Sequence, residues 1–222
     1  MSPTSKLETR RLPSQVAACR LDALESQAVF KTMMDTISRP GSVGHISEVV
    51  TRRVPACIAP ILVLADVETR VHVIDAPTFS WQEAVVSATG SCATDLGRAD
   101  LIVVPRAASE QLTTVFTLAS TGNATSPESG ARIVVDVDDI RSHGAGRRAG
   151  VELVLRGPGI DGETVICLDG LSDDVVDIWT ARNEFFPAGF DVWLTAHDGR
   201  IAAIPRSTRI EIVATWPNER GM

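Results

Sequence analysis

Tyrosine is absent from this sequence of 222 residues, and only Lys6 and Lys31 are lysines. Aromatic residues make up only 5% of the chain although 44% is hydrophobic, so the expected core is Val, Ile, Leu and Ala. Cys19, Cys57, Cys92 and Cys167 stand alone, with no CxxC pair. That spacing excludes a zinc module of the usual kind and a small disulfide-stapled domain. Met1 to Gln15 is polar, carries Pro3 and Pro13, and lacks the apolar stretch of a secretory signal. The longest apolar run, Val54–Ala65, is broken by Pro55 and Pro60. It falls short of the roughly 20 residues that a membrane span takes. Basic runs are also missing beyond short pairs such as Arg10-Arg11 and Arg52-Arg53, and 21 Lys+Arg stand against 28 Asp+Glu, a net charge of −7. No nucleic-acid partner and no membrane partner is therefore expected. A cytoplasmic location with reduced thiols follows.

What is present reads as alternating helices and strands, with strands crowding the second half. Residues 1–20 read as a disordered arm, 21–214 as a single α/β domain and 215–222 as a tail. Phe30, Met33, Met34 and Ile37 mark a helix over Ser26–Ser38, which Pro40-Gly41 ends. Ala56–Ala65 is apolar all round, and periodicity leaves helix and strand both open. Arg70–Ile74 reads as a strand, Ser80–Ala88 as a helix, Leu101–Val104 as a buried strand and Gln111–Leu118 as a short helix. Strands are then expected at Arg132–Val137, Val151–Arg156, Thr164–Leu168, Asp191–Thr195, Ile201–Ile204 and Arg209–Val213. Asp198-Gly199 predicts a hairpin. A helix near Ser172–Phe185 has Ser172 as N-cap, acidic residues in its first turn and a stripe of Val175, Ile178 and Trp179. The Gly/Arg-rich stretch Ser142–Gly150 reads as a mobile loop. The fold class expected is layered α/β with one mixed sheet, parallel early and antiparallel near the end.

Standard catalytic signatures are missing. There is no GxxxxGK[ST] loop, no GxSxG elbow and no HExxH. Gly157-Pro158-Gly159 follows a strand but opens no helix, so it reads as a turn. Asp173, Asp174 and Asp177 lie opposite the apolar stripe of their helix, which suits a solvated face rather than a metal site. Asp136, Asp138 and Asp139 read as a surface loop at a strand end. His45, His72, His143 and His197 are scattered, and Cys92 sits in a polar stretch with no base nearby. One combination is chemically suggestive. Arg206 with the hydroxyls of Ser207 and Thr208 follows a strand and suits a phosphate or phosphonate oxygen. The competing reading pairs Arg206 with Asp191 across the hairpin.

Taken together, several segments resemble one family. The run Phe186-Pro187-Ala188-Gly189-Phe190-Asp191, an apolar strand, and then Ala203-Ile204-Pro205-Arg206-Ser207-Thr208 is similar to the C-terminal signature of the PhnH family. Ser38-Arg39-Pro40-Gly41, Ser120-Thr121-Gly122, Pro127-Glu128-Ser129-Gly130-Ala131 and Leu155-Arg156-Gly157-Pro158-Gly159-Ile160 resemble its other turns, in order. Arg39 departs from the acidic residue common in relatives. The resemblance makes Pro40, Gly41, Gly122, Pro127, Gly130, Gly157, Gly159, Pro187, Gly189 and Pro205 structural motif residues.

It further implies a subunit of the bacterial carbon–phosphorus lyase core, acting with G, I and J subunits in phosphonate metabolism. The complex displaces adenine from ATP with a phosphonate to give a ribose 1-phosphonate 5-triphosphate, the work of a ribose 1-methylphosphonate 5-triphosphate synthase. The family resemblance also implies a homodimer when alone. Its scaffold is related to pyridoxal-phosphate-dependent transferases, which hold the cofactor on a lysine. Lys6 lies in the arm and Lys31 on a helix flank, so no cofactor is expected. The sequence thus supports a non-catalytic subunit. The alternative is an independent small-anion binder centred on Arg206, Thr208 and Asp191, and a third reading is a site completed by another subunit.

Overall fold

The computed structural model describes residues 12–77, 79–142 and 150–216. Residues 12–18 form a first helix, α1, where the sequence reads as an arm. Leu12, Val16 and Ala18 pack against the core, which accounts for that order. Residues 1–11 of the expected arm and His143, with most of its loop, lie outside the described residues.

Helix α2 (Ala23–Ser38) starts earlier than expected because Asp22 and Glu25 form a reciprocal capping box. The Asp22 amide donates to Glu25 Oε2 at 2.9 Å, and the Glu25 amide donates to Asp22 Oδ1 at 2.8 Å. Its buried face also differs from the expected stripe. Val29, Met33 and Thr36 are buried, while Phe30 and Met34 are 45% and 48% exposed. The cause is a close approach. A Cβ on Gly44 would sit 2.7 Å from Thr32 Cγ2 and 3.0 Å from Thr36 Cγ2, so the helix turns its small β-branched face to the strand there. The Thr36 hydroxyl donates to the Met33 carbonyl at 3.0 Å and so can be buried without cost.

Short elements follow: β1 (Gly44–His45), α3 (Glu48–Thr51), α4 (Ala59–Leu64) and β2 (Arg70–Val73). The ambiguous apolar run is thus helical in its middle. Pro60 lies in the first turn of α4, where its missing N–H is no loss. Helix α5 (Gln82–Thr89) ends on Gly90 at φ +75°, and β3 (Cys92–Ala93), β4 (Leu101–Val104) and α6 (Leu112–Leu118) come next. The second half holds β5 (Arg132–Val137), β6 (Asp139–Ser142), β7 (Gly150–Arg156), β8 (Thr164–Asp169), α7 (Asp173–Arg182), β9 (Asp191–Ala196), β10 (Arg200–Ile204) and β11 (Arg209–Trp216). Ser172 stands at the N-cap of α7, but its side chain makes no capping bond.

The strands form two sheets, not one. The first has the order β1-β10-β9-β5-β4-β2-β3. It is parallel from β3 to β9 and antiparallel through the β9–β10 hairpin and β1, as expected for a mixed sheet. The second sheet, β11-β7-β8-β6, is antiparallel throughout. Sequence pattern put its strands into the first sheet, because alternation marks a half-buried strand without naming its neighbour. The chain crosses between sheets at Asp138, from β5 directly into β6.

Two cores result. One joins the two sheets and α6 and α7 through Ile133, Val135, Leu153, Ile166, Trp179 and Leu194. The other lies between the opposite face of the large sheet and α2, α4 and α5, around Met33, Ile58, Val103 and Trp193. Among the described residues, no helix is long and apolar enough to cross a membrane.

A buried ion network ties the sheets together. Arg141 on β6 pairs with Asp169 on β8 and lies 3.5 Å from Asp139 Oδ2. Arg200 on β10 pairs with Asp139 and with Asp198, and its Nη1 donates to the Ile140 carbonyl at 2.5 Å. Asp139, expected on a surface loop, is therefore 8% exposed and fully engaged, since its strand packs against the large sheet.

Candidate functional site

The expected binding residues lie together after β10. Arg206 is held from four sides. Its amide and Nε donate to Asp191 Oδ1 at 2.9 and 3.1 Å, Nη2 donates to Asp191 Oδ2 at 2.7 Å, and Nη1 donates to the Pro127 carbonyl at 2.6 Å. The side chains of Arg206 and Asp191 are only 11% and 18% exposed. The geometry is a two-point fork on a carboxylate. Ser207 is half-buried. Thr208 is buried, and its hydroxyl has no hydrogen-bond partner among the described residues.

The motif glycines and prolines surround that clasp. The Thr121 carbonyl accepts from Gly189 N at 2.7 Å, the Ser120 carbonyl from Ala131 N at 2.8 Å and the Ala131 carbonyl from Asp191 N at 3.2 Å. A Cβ on Gly130 would strike the Gly189 carbonyl and the Arg206 guanidinium. Gly189, at φ +141°, faces Asn183, whose amide side chain bonds both the Phe190 N–H at 2.9 Å and the Phe190 carbonyl at 3.1 Å. Those bonds end α7 at Arg182, before the expected Phe185. Gly122, at φ +62°, has Ser126 O and Gly130 N against its missing Cβ.

The same contact chain runs on through the remaining motifs. Gly157 lies against the Ser207–Thr208 backbone, Gly159 against the Ser38 carbonyl and Pro40, and Gly41 against Thr164. Pro40 and Gly41 are buried, Pro205 leads into the Arg206 turn, and Phe186-Pro187 is a cis peptide bond. Six segments of the chain therefore meet as one layer of turns. Gly159→Ala is expected to cost about 2–4 kcal/mol, because φ of +83° and the Ser38 carbonyl both oppose a side chain. Thermal melting checks this; an unchanged midpoint contradicts the close packing of those two turns.

The layer sits at the amino ends of β5 and β9, where Arg132 pairs with Asp191. Ligands of open parallel sheets usually sit at the opposite, carboxyl ends. That opposite edge carries Arg106, Asp136, Asp138 and His197, which sequence reasoning did not assemble. Arg106 Nη2 donates to Asp138 Oδ2 at 2.7 Å, with a second contact from Nε to Oδ1. A cavity of about 460 Å³ opens there, lined by Arg106, Asp138, Gly170, Ser172 and Trp216. Asp136 is not on a loop but is half-buried in β5, with only long contacts, 3.3 Å from Thr195 Oγ1 and 3.4 Å from the Arg106 amide.

Burial pushes the Asp136 carboxyl up to about 6. A folded-state value above the unfolded one makes the folded chain bind the extra proton. The group is thus neutral in stability terms below about pH 4 and increasingly destabilising up to about pH 6. Asp136→Asn is expected to be the more stable form by about 2–3 kcal/mol at pH 7–8, with the gap closing near pH 4. Urea titrations at both pH values check this.

The other singled-out residues are dispersed. His72 is half-buried, and its Nδ1–H donates to the Thr94 carbonyl at 2.7 Å. His45 and His197 are exposed. Asp173, Asp174 and Asp177 are exposed on α7. Cys92 is exposed on the two-residue edge strand β3 rather than in a loop.

A family model described as "Bacterial phosphonate metabolism protein (PhnH)" matches residues 18–211. The chain is similar to the alpha-D-ribose 1-methylphosphonate 5-triphosphate synthase subunit PhnH of Rhizobium meliloti (strain 1021). The two are 32% identical over 194 residues, covering 84% of this chain and 90% of the relative. That match spans the turns locked around Arg206 and Asp191, and the chain belongs to the PhnH family of bacterial phosphonate metabolism proteins.

Proposed function

We propose that this chain is a non-catalytic assembly subunit of the carbon–phosphorus lyase core. It works with G, I and J subunits while the complex converts a phosphonate and ATP to a ribose 1-phosphonate 5-triphosphate. Membership of the family and the relative's name as a synthase subunit support the assignment. One observation carries the non-catalytic part. The turns that resemble the family's form one layer around a guanidinium whose three nitrogens all bond Asp191 or the Pro127 carbonyl, at the sheet edge opposite the usual ligand edge.

A pyridoxal-phosphate-transferase-like scaffold without that cofactor fits the same reading. Lys31, the lysine among the described residues, is exposed on α2 and pairs with Asp35 at 2.8 Å. Residues 21–214 act as one domain, supported by the core shared between both sheets. The free chain is a cytoplasmic homodimer. The isolated chain is expected to release no adenine from ATP plus methylphosphonate, and to show no heat of binding with either at millimolar concentration. Adenine release by the isolated chain would contradict the non-catalytic reading; binding heat lost in Arg206→Lys would instead favour the anion site.

A further inference from the structure

The Asp136 carboxyl is half-buried and poorly bonded. Its Oδ2 accepts from the Arg106 amide at 3.4 Å and its Oδ1 from the Thr195 hydroxyl at 3.3 Å. That hydroxyl also points at the Val135 carbonyl, 3.5 Å away. A carboxylate so placed is short of donors, and a charge withdrawn from water without full pairing costs free energy. Its charged and titratable neighbours come from three other segments. They are the Arg106 guanidinium after β4, forked onto Asp138, the exposed His197 after β9 and the buried Cys57 thiol ahead of α4. Burial outweighs the attraction of Arg106 and His197, so the neutral form is favoured relative to water.

The sides of this enclosure differ in how firmly they are held. Thr195 and Cys57 are fully buried, and the turn at Cys57 is closed by the Ile58 amide, which donates to the Pro55 carbonyl at 2.9 Å. The Arg106 side is a short 3-10 turn, Arg106–Gln111, broken at Ala108 by φ −122° and ψ 23°. Ala107, Glu110 and Gln111 on it are exposed. Short 3-10 pieces have poorer hydrogen-bond geometry than α-helix and often mark hinges. This turn is therefore the side that yields at least cost.

We propose that Asp136 is a pH-sensitive latch on the Arg106–Gln111 turn: the neutral carboxyl keeps the turn closed, and the ionised carboxylate favours its lifting, which lets water reach the charge. The closed form, whose carboxyl burial pushes up to about 6, binds the extra proton. Opening is therefore least favoured below about pH 4, rises towards about pH 6 and is constant above it. Lifting the turn also parts Arg106 from Asp138, so the cavity at the carboxyl edge loses the wall that Arg106 supplies. The latch goes beyond the assembly reading and does not depend on it.

The test is amide hydrogen exchange of the full chain by NMR between pH 4 and pH 7, with each rate divided by its intrinsic rate. The Ala108 amide, which donates to the Pro105 carbonyl at 2.9 Å, and the Leu112 amide, which donates to the Ser109 carbonyl, report the turn. Their opening constant is expected to rise about fiftyfold across that range. The rise should be insensitive to low urea, as for a local opening, with β4 and β5 far better protected. The carboxyl carbon shift of Asp136 in the same chain should titrate with the same midpoint as the opening. Asp136→Asn, which cannot ionise, is expected to remove the rise. A flat opening constant in the parent overturns the latch, as does a rise that persists in Asp136→Asn or that follows a different midpoint from the carboxyl. A rise at the Ile58 amide in place of Ala108 and Leu112 overturns the choice of turn and with it the latch.

Discussion

Arg141→Ala lowers the unfolding free energy by about 3–5 kcal/mol, the range for stripping one partner from a buried ion pair. Arg141 and Asp169 are 9% and 4% exposed, and they pair directly between neighbouring strands of the small sheet. Removing the guanidinium leaves the Asp169 carboxylate buried without its cation. Asp139 keeps its pair to Arg200 and so retains part of the bridge to the large sheet. The loss therefore comes from an orphaned charge more than from a lost attraction. A shape-filling apolar pair tests that distinction. Arg141→Met with Asp169→Leu is expected to recover more than half of the loss, since apolar replacements of buried pairs are often neutral. Urea midpoints at constant m-value measure both. A double variant no better than Arg141→Ala would show that the network contributes through geometry instead.

Arg206→Lys keeps the charge and still costs about 2–4 kcal/mol, because an ammonium cannot reproduce a planar fork. It cannot span both Asp191 oxygens and also reach the Pro127 carbonyl, 2.6 Å from Nη1. The loss should be felt first in residues 127–130, whose turn rests against the guanidinium. Hydrogen exchange is expected to speed up there and at Gly189, with the core strands β4 and β5 still protected. If Arg206 instead served a free anion, the lysine variant would melt like the parent and lose only ligand binding.

Much of the large sheet was legible because its strands are short apolar runs bounded by turn residues. Leu101–Val104 and Arg132–Val137 are read from sequence with the bounds they have in the fold. The Asp198-Gly199 hairpin is equally local, and its pairing of Ile201 with Thr195 follows. Three strands of the small sheet were legible, but not that they form a sheet of their own. β11 pairs with β7, whose residues lie more than 50 positions earlier, and no local pattern encodes that partner. The acidic cluster at the end of β5 was misjudged for the same reason. Asp139, Ile140 and Arg141 alternate on a strand, yet what buries the charges is Arg200 and Asp169, both distant in sequence.

The face of α2 failed for a different reason. Hydrophobicity favoured Phe30 and Met34, while the fold needed small side chains where Gly44 approaches. The Arg206 site was half legible. Residue types suggested both an anion site and a pair with Asp191, and the hairpin register brings the pair together. That the turn at 127–130 closes on the same guanidinium, and Gly189 on the stem of that side chain, depends on backbone contacts that no motif spells out.

The central claim is that the chain works as part of a multi-subunit assembly. The direct test is to co-express it, tagged, with the other core subunits and to determine the mass of the purified species by light scattering. A single stoichiometric complex carrying every core subunit is the predicted result. A homodimer of this chain alone, with the partners left in the flow-through, would contradict it.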